Sequence, residues 1–296
     1  MMFDTLQGLT IPEGVVTQIA KDGVVLWAVQ SDKSIILEVE KITSNTYVSS
    51  TSYTDEQFLQ LDIYPKTSDS IVEVTYGGLT KTLTFNGTNA QQVYFGTFGG
   101  VSDAVETPVS GTLTITGDCI GVGAGSYNTA KNTSTYCKCI TGITEWGGIT
   151  YIAPYMLYNC AGITLSELPS GITSIGASAF YGCSNITLSE LPSGITSIEE
   201  RTFYGCTGIT SIIIPAGVIT IGGYAFYGCT SLISITIPAS VTTIEAYAFV
   251  NIGSDGNLYL EITEGWSAGN TVIHLSTPAK AFDSLYTSRG NAWTRS

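Results

Sequence analysis

The sequence predicts a mainly β chain in three parts: an N-terminal hairpin, a two-sheet β-sandwich, and a solenoid of short stacked coils. Three observations carry this prediction. Several residue types recur every 23 positions between about 137 and 250, and a fixed period of that length marks a stacked-repeat architecture. Upstream of the repeat, short runs alternate apolar and polar residues, the pattern of strands buried on one face. Gly-containing turn signals separate those runs.

Composition narrows the partners. Eleven Lys and Arg stand against 24 Asp and Glu, a net charge of −13. Nucleic-acid binding needs a basic footprint, which this chain lacks. The same charge disfavours docking on an anionic membrane, and no apolar run is long enough to span one. The first residues carry no basic segment followed by an apolar one, so synthesis and folding in a cytosol are expected.

Residues 1–34 form the first segment. The apolar runs of "VVTQIAKDGVVLWAV" flank Asp22-Gly23, a strong signal for a two-residue hairpin turn. Residues 35–118 form the second. "IILEVE", "FLQLDIYP", "IVEVTY", "LTKTLTF", "QQVYFGTF" and "GTLTITG" read as strands, with turns at Gly77-Gly78, Asn86-Gly87 and Gly99-Gly100. Leu59, Leu61 and Ile63 alternate with Gln60 and Asp62, which places the polar pair on the outer face. Thr54 and Gln57 fit the N-cap and N3 of one helical turn at 53–58. Many short strands with frequent turns predict an immunoglobulin-like β-sandwich.

Residues 119–250 form the solenoid, with 119–138 as join and N-terminal cap. Pro169, Pro192, Pro215 and Pro238 share the 23-residue spacing, as do Cys137, Cys160, Cys183, Cys206 and Cys229, and Phe180, Phe203, Phe226 and Phe249. Within a unit, "LISITIP" reads as a half-buried strand ended by proline. "VTTI" is a second short extended piece, and "AYAFYGC" fits one helical or 3₁₀ turn. The copies at 163–168 and 186–191 read "ITLSEL", which shifts the apolar alternation and leaves their register open. Residues 251–296 form the C-terminal cap. They include a turn at Asp255-Gly256, and "TPAKAFDSLYTS" fits a short helix burying Phe282, Leu285 and Tyr286.

The cysteine column has two readings. Small buried filler at one corner of every coil suits the residue type. Disulfides or a metal site fit worse, because identical rungs pair badly and the single C-x-C at Cys137 and Cys139 has no matching histidine. No nucleophile elbow, P-loop or zinc-protease signature occurs. "GVGAGS" at 121–126 lacks a strand-to-helix context. His274 is the only histidine. Asp255, Asn257 and Glu261 fit a tight turn better than a calcium loop. Glu167 and Glu190 stack on adjacent coils as a solvated face rather than an acid pair. The sequence therefore predicts no enzyme, no cofactor and no metal site.

The unit "ITSIIIPAGVITIGGYAFYGC" and its copies resemble the BspA-type leucine-rich repeat, over about 140–250. The resemblance implies a curved solenoid with a sheet on one face and a binding or structural role. The segment "IPEG.V..I...G.VLW" resembles N-terminal segments of phage tail and head-fibre proteins. The stretch from "LDIYPKT" to "GTLTITG" resembles domains of phage structural proteins. Together these resemblances imply a virion protein, a head or tail fibre or decoration. Its N-terminal segment would bind capsid or tail proteins, and its solenoid a host surface glycan or protein. The alternative is a bacterial surface adhesin or interaction protein with the same repeats. Fibres are often trimeric, yet no heptad stalk is present, so self-association stays open.

Candidate contacts on the solenoid are the outward hydroxyls and carboxylates near the first strand: Thr164, Glu167, Thr187, Glu190, Thr210, Ser211, Ser234 and Thr236. The ladder of Tyr181, Tyr204 and Tyr227 offers aromatic rings that could stack on sugars or pack.

Overall fold

The structure is a computed structural model. It describes residues 15–16, 29–30, 34–39, 47–49, 58–98, 101–102, 111–117, 119–123, 125–128, 133–137, 140–253, 257–260, 266–268, 271–273 and 292–295, some of the strands by their backbone alone. β1 (Val15–Val16) and β2 (Val29–Gln30) pair antiparallel. Val15 faces Gln30 and Val16 faces Val29, a register centred on Asp22-Gly23. The turn itself and Trp27 lie outside the described residues.

Alternating residues build the next region. In chain order it contains β3 (Ile35–Val39), β4 (Tyr47–Ser49), β5 (Phe58–Pro65), β6 (Ile71–Tyr76), β7 (Leu79–Thr84), β8 (Gln91–Phe98), β9 (Val101–Ser102) and β10 (Gly111–Gly117). β11 (Cys119–Gly123), β12 (Gly125–Asn128), β13 (Thr133–Cys137), β14 (Ile140–Trp146), β15 (Tyr151–Ile152) and β16 (Ser174–Ile175) follow. One sheet runs β14-β3-β10-β6-β7, and a second runs β16-β15-β11-β5-β8-β9. Val72, Val74, Leu113 and Ile115 of the first sheet and Leu61, Ile63, Val93 and Phe95 of the second are buried in one core. Tyr76 and Phe95 meet edge to face across it, 5.7 Å between centroids.

Three features depart from the sequence expectation. Asp62 is buried rather than solvent-facing, because β5 lies inside its sheet with Gln92 of β8 on one side and Gly123 of β11 on the other. The Tyr64 phenol nearby is pushed up to about 12, by burial first and then by the Asp62 charge. Second, residues 119–138 are more than a join: β12 and β13 form a three-stranded sheet with β4. Third, pairing crosses the boundary expected between 118 and 119. β11 pairs antiparallel with β5 and parallel with β15, and β15 pairs parallel with β16. β14 joins β3 in the other sheet. The helical turn expected at 53–58 falls on residues outside the described set, apart from Phe58 at the start of β5.

Beyond β16 the stack contains β17 (Ser197–Ile198), β18 (Ser211–Ile213), β19 (Thr220–Ile221), β20 (Ser234–Ile237) and β21 (Thr243–Ile244). β22 (Asn257–Leu260), β23 (Trp266–Ala268), β24 (Thr271–Ile273) and β25 (Trp293–Arg295) close the chain. The parallel register joins Ser197 to Thr220, Thr220 to Thr243, and Ser211 to Ser234. β22 continues one sheet beside β20, and β25 continues the other, antiparallel to β21. Inside lie columns of Ile, Leu, Val, Phe and Cys. Among the described residues there is no helix, and so none long and apolar enough to cross a membrane.

The "ITLSEL" copies show why register matters. In later coils Ile212 with Ile214, and Ile235 with Ile237, are buried at spacing two, as a strand requires. In the earlier copies Leu188 and Leu191 are buried at spacing three. No regular strand turns both inward, so these segments stay irregular and Glu190 makes only an isolated bridge to Ile213.

Candidate functional site

The corner of each coil is where the repeat concentrates its unusual chemistry. The sequence predicted a helical or 3₁₀ turn for "AYAFYGC", and the structure corrects this. Only alternate residues make three-residue turn bonds, as in Tyr181 N–H to Ser178 O and Cys183 N–H to Phe180 O, both 3.1 Å. The intervening N–H groups donate to the next coil instead: Ser178 to Glu200, Phe180 to Thr202 and Gly182 to Tyr204, at 2.9, 3.0 and 2.7 Å. This alternation needs left-handed backbone at two places per corner. Tyr155, Ser178, Arg201, Tyr224 and Tyr247 occupy the first, with φ of 54–62°. Asn159, Gly182, Gly205, Gly228 and Asn251 occupy the second. At Gly182 a side chain would also strike Asn159, its Cβ 2.2 Å from Oδ1. Gly and Asn are the residues that tolerate such φ.

The buried thiols serve these corners. Cys183, Cys206 and Cys229 donate to the carbonyls of Leu157, Phe180 and Phe203 of the preceding coil, at 2.9, 3.0 and 3.1 Å. Burial raises all three thiols, that of Cys229 to about 12, so they remain neutral donors. Cys119, Cys160, Cys183, Cys206 and Cys229 form no disulfide. Among the described residues no group of His, Cys, Asp and Glu is arranged to hold a metal. Cys137 has only its backbone described, and Cys139, His274 and Asp255 lie outside the described residues.

The tyrosines form a column. Tyr158, Tyr181, Tyr204 and Tyr227 stack face to face, with centroids 4.5, 4.5 and 4.8 Å apart. This geometry changes what they can do. Both faces of Tyr181 and Tyr204 are covered by neighbouring rings, so neither can lie flat on a sugar. The column presents ring edges and hydroxyls. Burial, and then the Tyr181 and Tyr227 phenols, raise the Tyr204 pKa. Beside this column the Arg201 guanidinium sits 4.9 Å from the Tyr224 ring centroid and pairs with Glu200.

The other sequence candidates divide. Thr164, Glu167, Thr187 and Glu190 are exposed but lie outside regular strands, so they do not form the expected strand rows. Thr210 and Ser211 are exposed, whereas Ser234 and Thr236 are half-buried. The structure brings forward a row that sequence reasoning passed over. Tyr151 pairs in register with Ser174, Ser197 with Thr220, Thr220 with Thr243, and Thr243 with Thr294. All are half-buried or exposed, and each precedes or faces a buried isoleucine in the first five coils. The recurring "TSI" and "TTI" triplets were the available signal.

This arrangement of stacked coils, each contributing short parallel strands and a buried Ile, Phe and Cys column, is a leucine-rich repeat solenoid. Residues 130–259 match the BspA type leucine rich repeat region in six copies. Parts of the chain are similar to solved proteins. One is a leucine-rich cell surface protein of Faecalibacterium prausnitzii A2-165, 35% identical over 36% of this chain and 30% of that one, with a TM-score of 0.33. Another is a leucine-rich repeat protein of Bacteroides ovatus ATCC 8483, 23% identical over 49% and 39%, TM-score 0.34. A third is the T. pallidum leucine-rich repeat protein, 24% identical over 46% and 66%, TM-score 0.35. No curated protein matches the chain.

Proposed function

We propose that this is a non-catalytic binding protein acting at a bacterial surface, in which the repeat solenoid holds the ligand. The observation that supports this reading is the split between the inside and outside of the stack. The thiols are inward and neutral, and the outward residues form rows of hydroxyls with interspersed carboxylates. Such rows can hydrogen-bond an extended sugar or peptide, with contacts repeated every coil. Residues 35–118, read as an immunoglobulin-like sandwich, serve as the spacer, and residues 1–34 as the attachment segment. The phage-fibre placement, with capsid or tail proteins as partners, draws no support from the repeat family or the similar structures.

Two surfaces compete for the ligand: the edge carrying Thr187, Glu190 and Ser211, and the in-register row of Ser197, Thr220 and Thr243. The test compares the wild-type protein with T187A/E190A/S211A and with S197A/T220A/T243A in adsorption to intact bacterial and epithelial cells and to an immobilised glycan panel. Loss of adsorption in one folded triple variant assigns the surface. Full retention in both would overturn the solenoid as the binding unit.

A further inference from the structure

Asn86 is the one asparagine in the sequence that precedes a glycine. It lies in the loop 85–90, which carries the chain from β7 in one sheet to β8 in the other. The loop is fastened at both ends. Phe85 is buried, and its N–H donates to Ser70 O at 3.0 Å. The Gln91 side-chain Nε2 donates to Thr84 O at 3.1 Å. Between these anchors Asn86 is exposed. Among the described residues nothing accepts the Gly87 N–H, and a Cβ on Gly87 would meet no atom within 4 Å.

An asparagine side chain can react with the backbone nitrogen that follows it only if that nitrogen is unhindered and released from its own hydrogen bond. Glycine has no Cβ to crowd the approach and the widest choice of backbone conformation. Asparagines in the stack lack this setting. After Asn159 the Cys160 N–H is held by Leu157 O at 3.0 Å, and after Asn185 the Ile186 N–H by Cys183 O at 3.5 Å. Asn251 precedes Ile252, which is buried and β-branched. Asn89 shares the loop with Asn86 and is exposed, but the Cβ of Ala90 stands beside the nitrogen it would use.

We propose that Asn86-Gly87 is a self-modification site, at which the folded chain converts Asn86 to aspartate and isoaspartate. The Gly87 nitrogen gives up its proton to solvent and bonds to Asn86 Cγ. The Cγ–Nδ2 bond breaks, and ammonia leaves with a proton from solvent. The resulting imide ring is opened by one water molecule. Opening at Cγ leaves an ordinary aspartate; opening at the Asn86 carbonyl carbon routes the main chain through the side chain and leaves isoaspartate. Water is the only co-reactant, and nothing is oxidised or reduced. Either product adds one negative charge to a chain already at −13. The fold carries both products, because the reacting atoms lie between the anchors at Phe85 and Gln91. The protein therefore accumulates, with age, a second surface form of its two-sheet region.

The test is peptide mass mapping of the full chain after incubation, folded, in mildly alkaline heavy-oxygen water. The expected result is a mass gain at Asn86 with heavy oxygen incorporated, split between two isomeric peptides, while Asn89 stays an amide. Gly87→Val has room for its side chain and should lose the mass gain while melting with the wild type. Asn86→Asp, the ordinary product, should also melt with the wild type. An intact Asn86 in the folded chain, under conditions where the urea-unfolded chain reacts, would overturn the proposal. So would an equal mass gain in Gly87→Val. A lowered melting temperature in Asn86→Asp would contradict the claim that the fold carries the product.

Discussion

Cysteine is well matched to the corner because it is small, apolar in its bulk, and still carries one donor. The carbonyls of Phe180 and Phe203 already accept the N–H of Cys183 and Cys206, and the thiols of Cys206 and Cys229 supply a second bond from the following coil. Valine would fill the space without the bond. Cys206→Val should therefore lower stability by about 1 kcal/mol, the net worth of a hydrogen bond, seen as a reduced denaturation midpoint with unchanged slope. An unchanged midpoint would reduce the column to filler. The thiols also predict a pH dependence. They ionise near 8.5 in the unfolded chain and are raised in the folded one. Stability from this source is complete below about pH 8.5 and falls as pH rises above it, because the unfolded chain then loses thiol protons that the folded one keeps. Melting temperatures at pH 8, 9 and 10 should fall steeply in the wild type and less so in a C183V/C206V/C229V variant; equal slopes would contradict the assignment. Phe203, buried between Phe180 and Phe226, sets the larger scale. Phe203→Ala should cost about 3–5 kcal/mol, and an unshifted melting curve would show that the stack does not bear on stability.

At the scale of elements, legibility followed the range of the interactions. Each of the six runs read as strands upstream of the solenoid contains a strand, because alternation is local and survives in the fold. The inward Ile, Phe and Cys columns were equally plain, since repetition every 23 positions leaves little choice of face. The corner was not legible. "AYAFYGC" has helix-compatible composition, and only the demand of the next coil for alternate N–H groups turns it into left-handed and right-handed steps. The sugar-stacking reading of Tyr181 and Tyr204 fails for a related reason: the spacing that puts them in one column also covers both their faces. The hydroxyl rows at Tyr151 and Ser174 and at Ser197, Thr220 and Thr243 left a signal in the "TSI" and "TTI" triplets that was passed over, whereas Thr294, from an antiparallel strand outside the repeat, left none. Pairing between strands distant in sequence has no local signature, and the same gap hid β14, which looks like part of the first repeat but pairs with β3.

The whole molecule turns on β11. This strand is antiparallel to β5 on one side and parallel to β15 on the other, so the second sheet of the sandwich continues directly into the first coils. Gly121 permits the contact: a Cβ there would lie 2.8 Å from Tyr151 O and 2.9 Å from its Cδ1. Tyr64 and Tyr151 meet edge to face beside it, 5.3 Å between centroids. Gly121→Val should force the strands apart and cost about 1–3 kcal/mol, measured by chemical denaturation. A neutral effect would place no weight on the junction.

Continuity through β11 is the claim on which the two-sheet region and the repeat stack become one body. Hydrogen exchange along a denaturant titration tests it most directly, by following amides of β5 and β10 together with those of β15, β19 and β20. The account predicts that the sandwich and the stack lose protection in one transition at a shared midpoint. Two separate transitions, with the stack still protected after the sandwich has exchanged or the reverse, would contradict it.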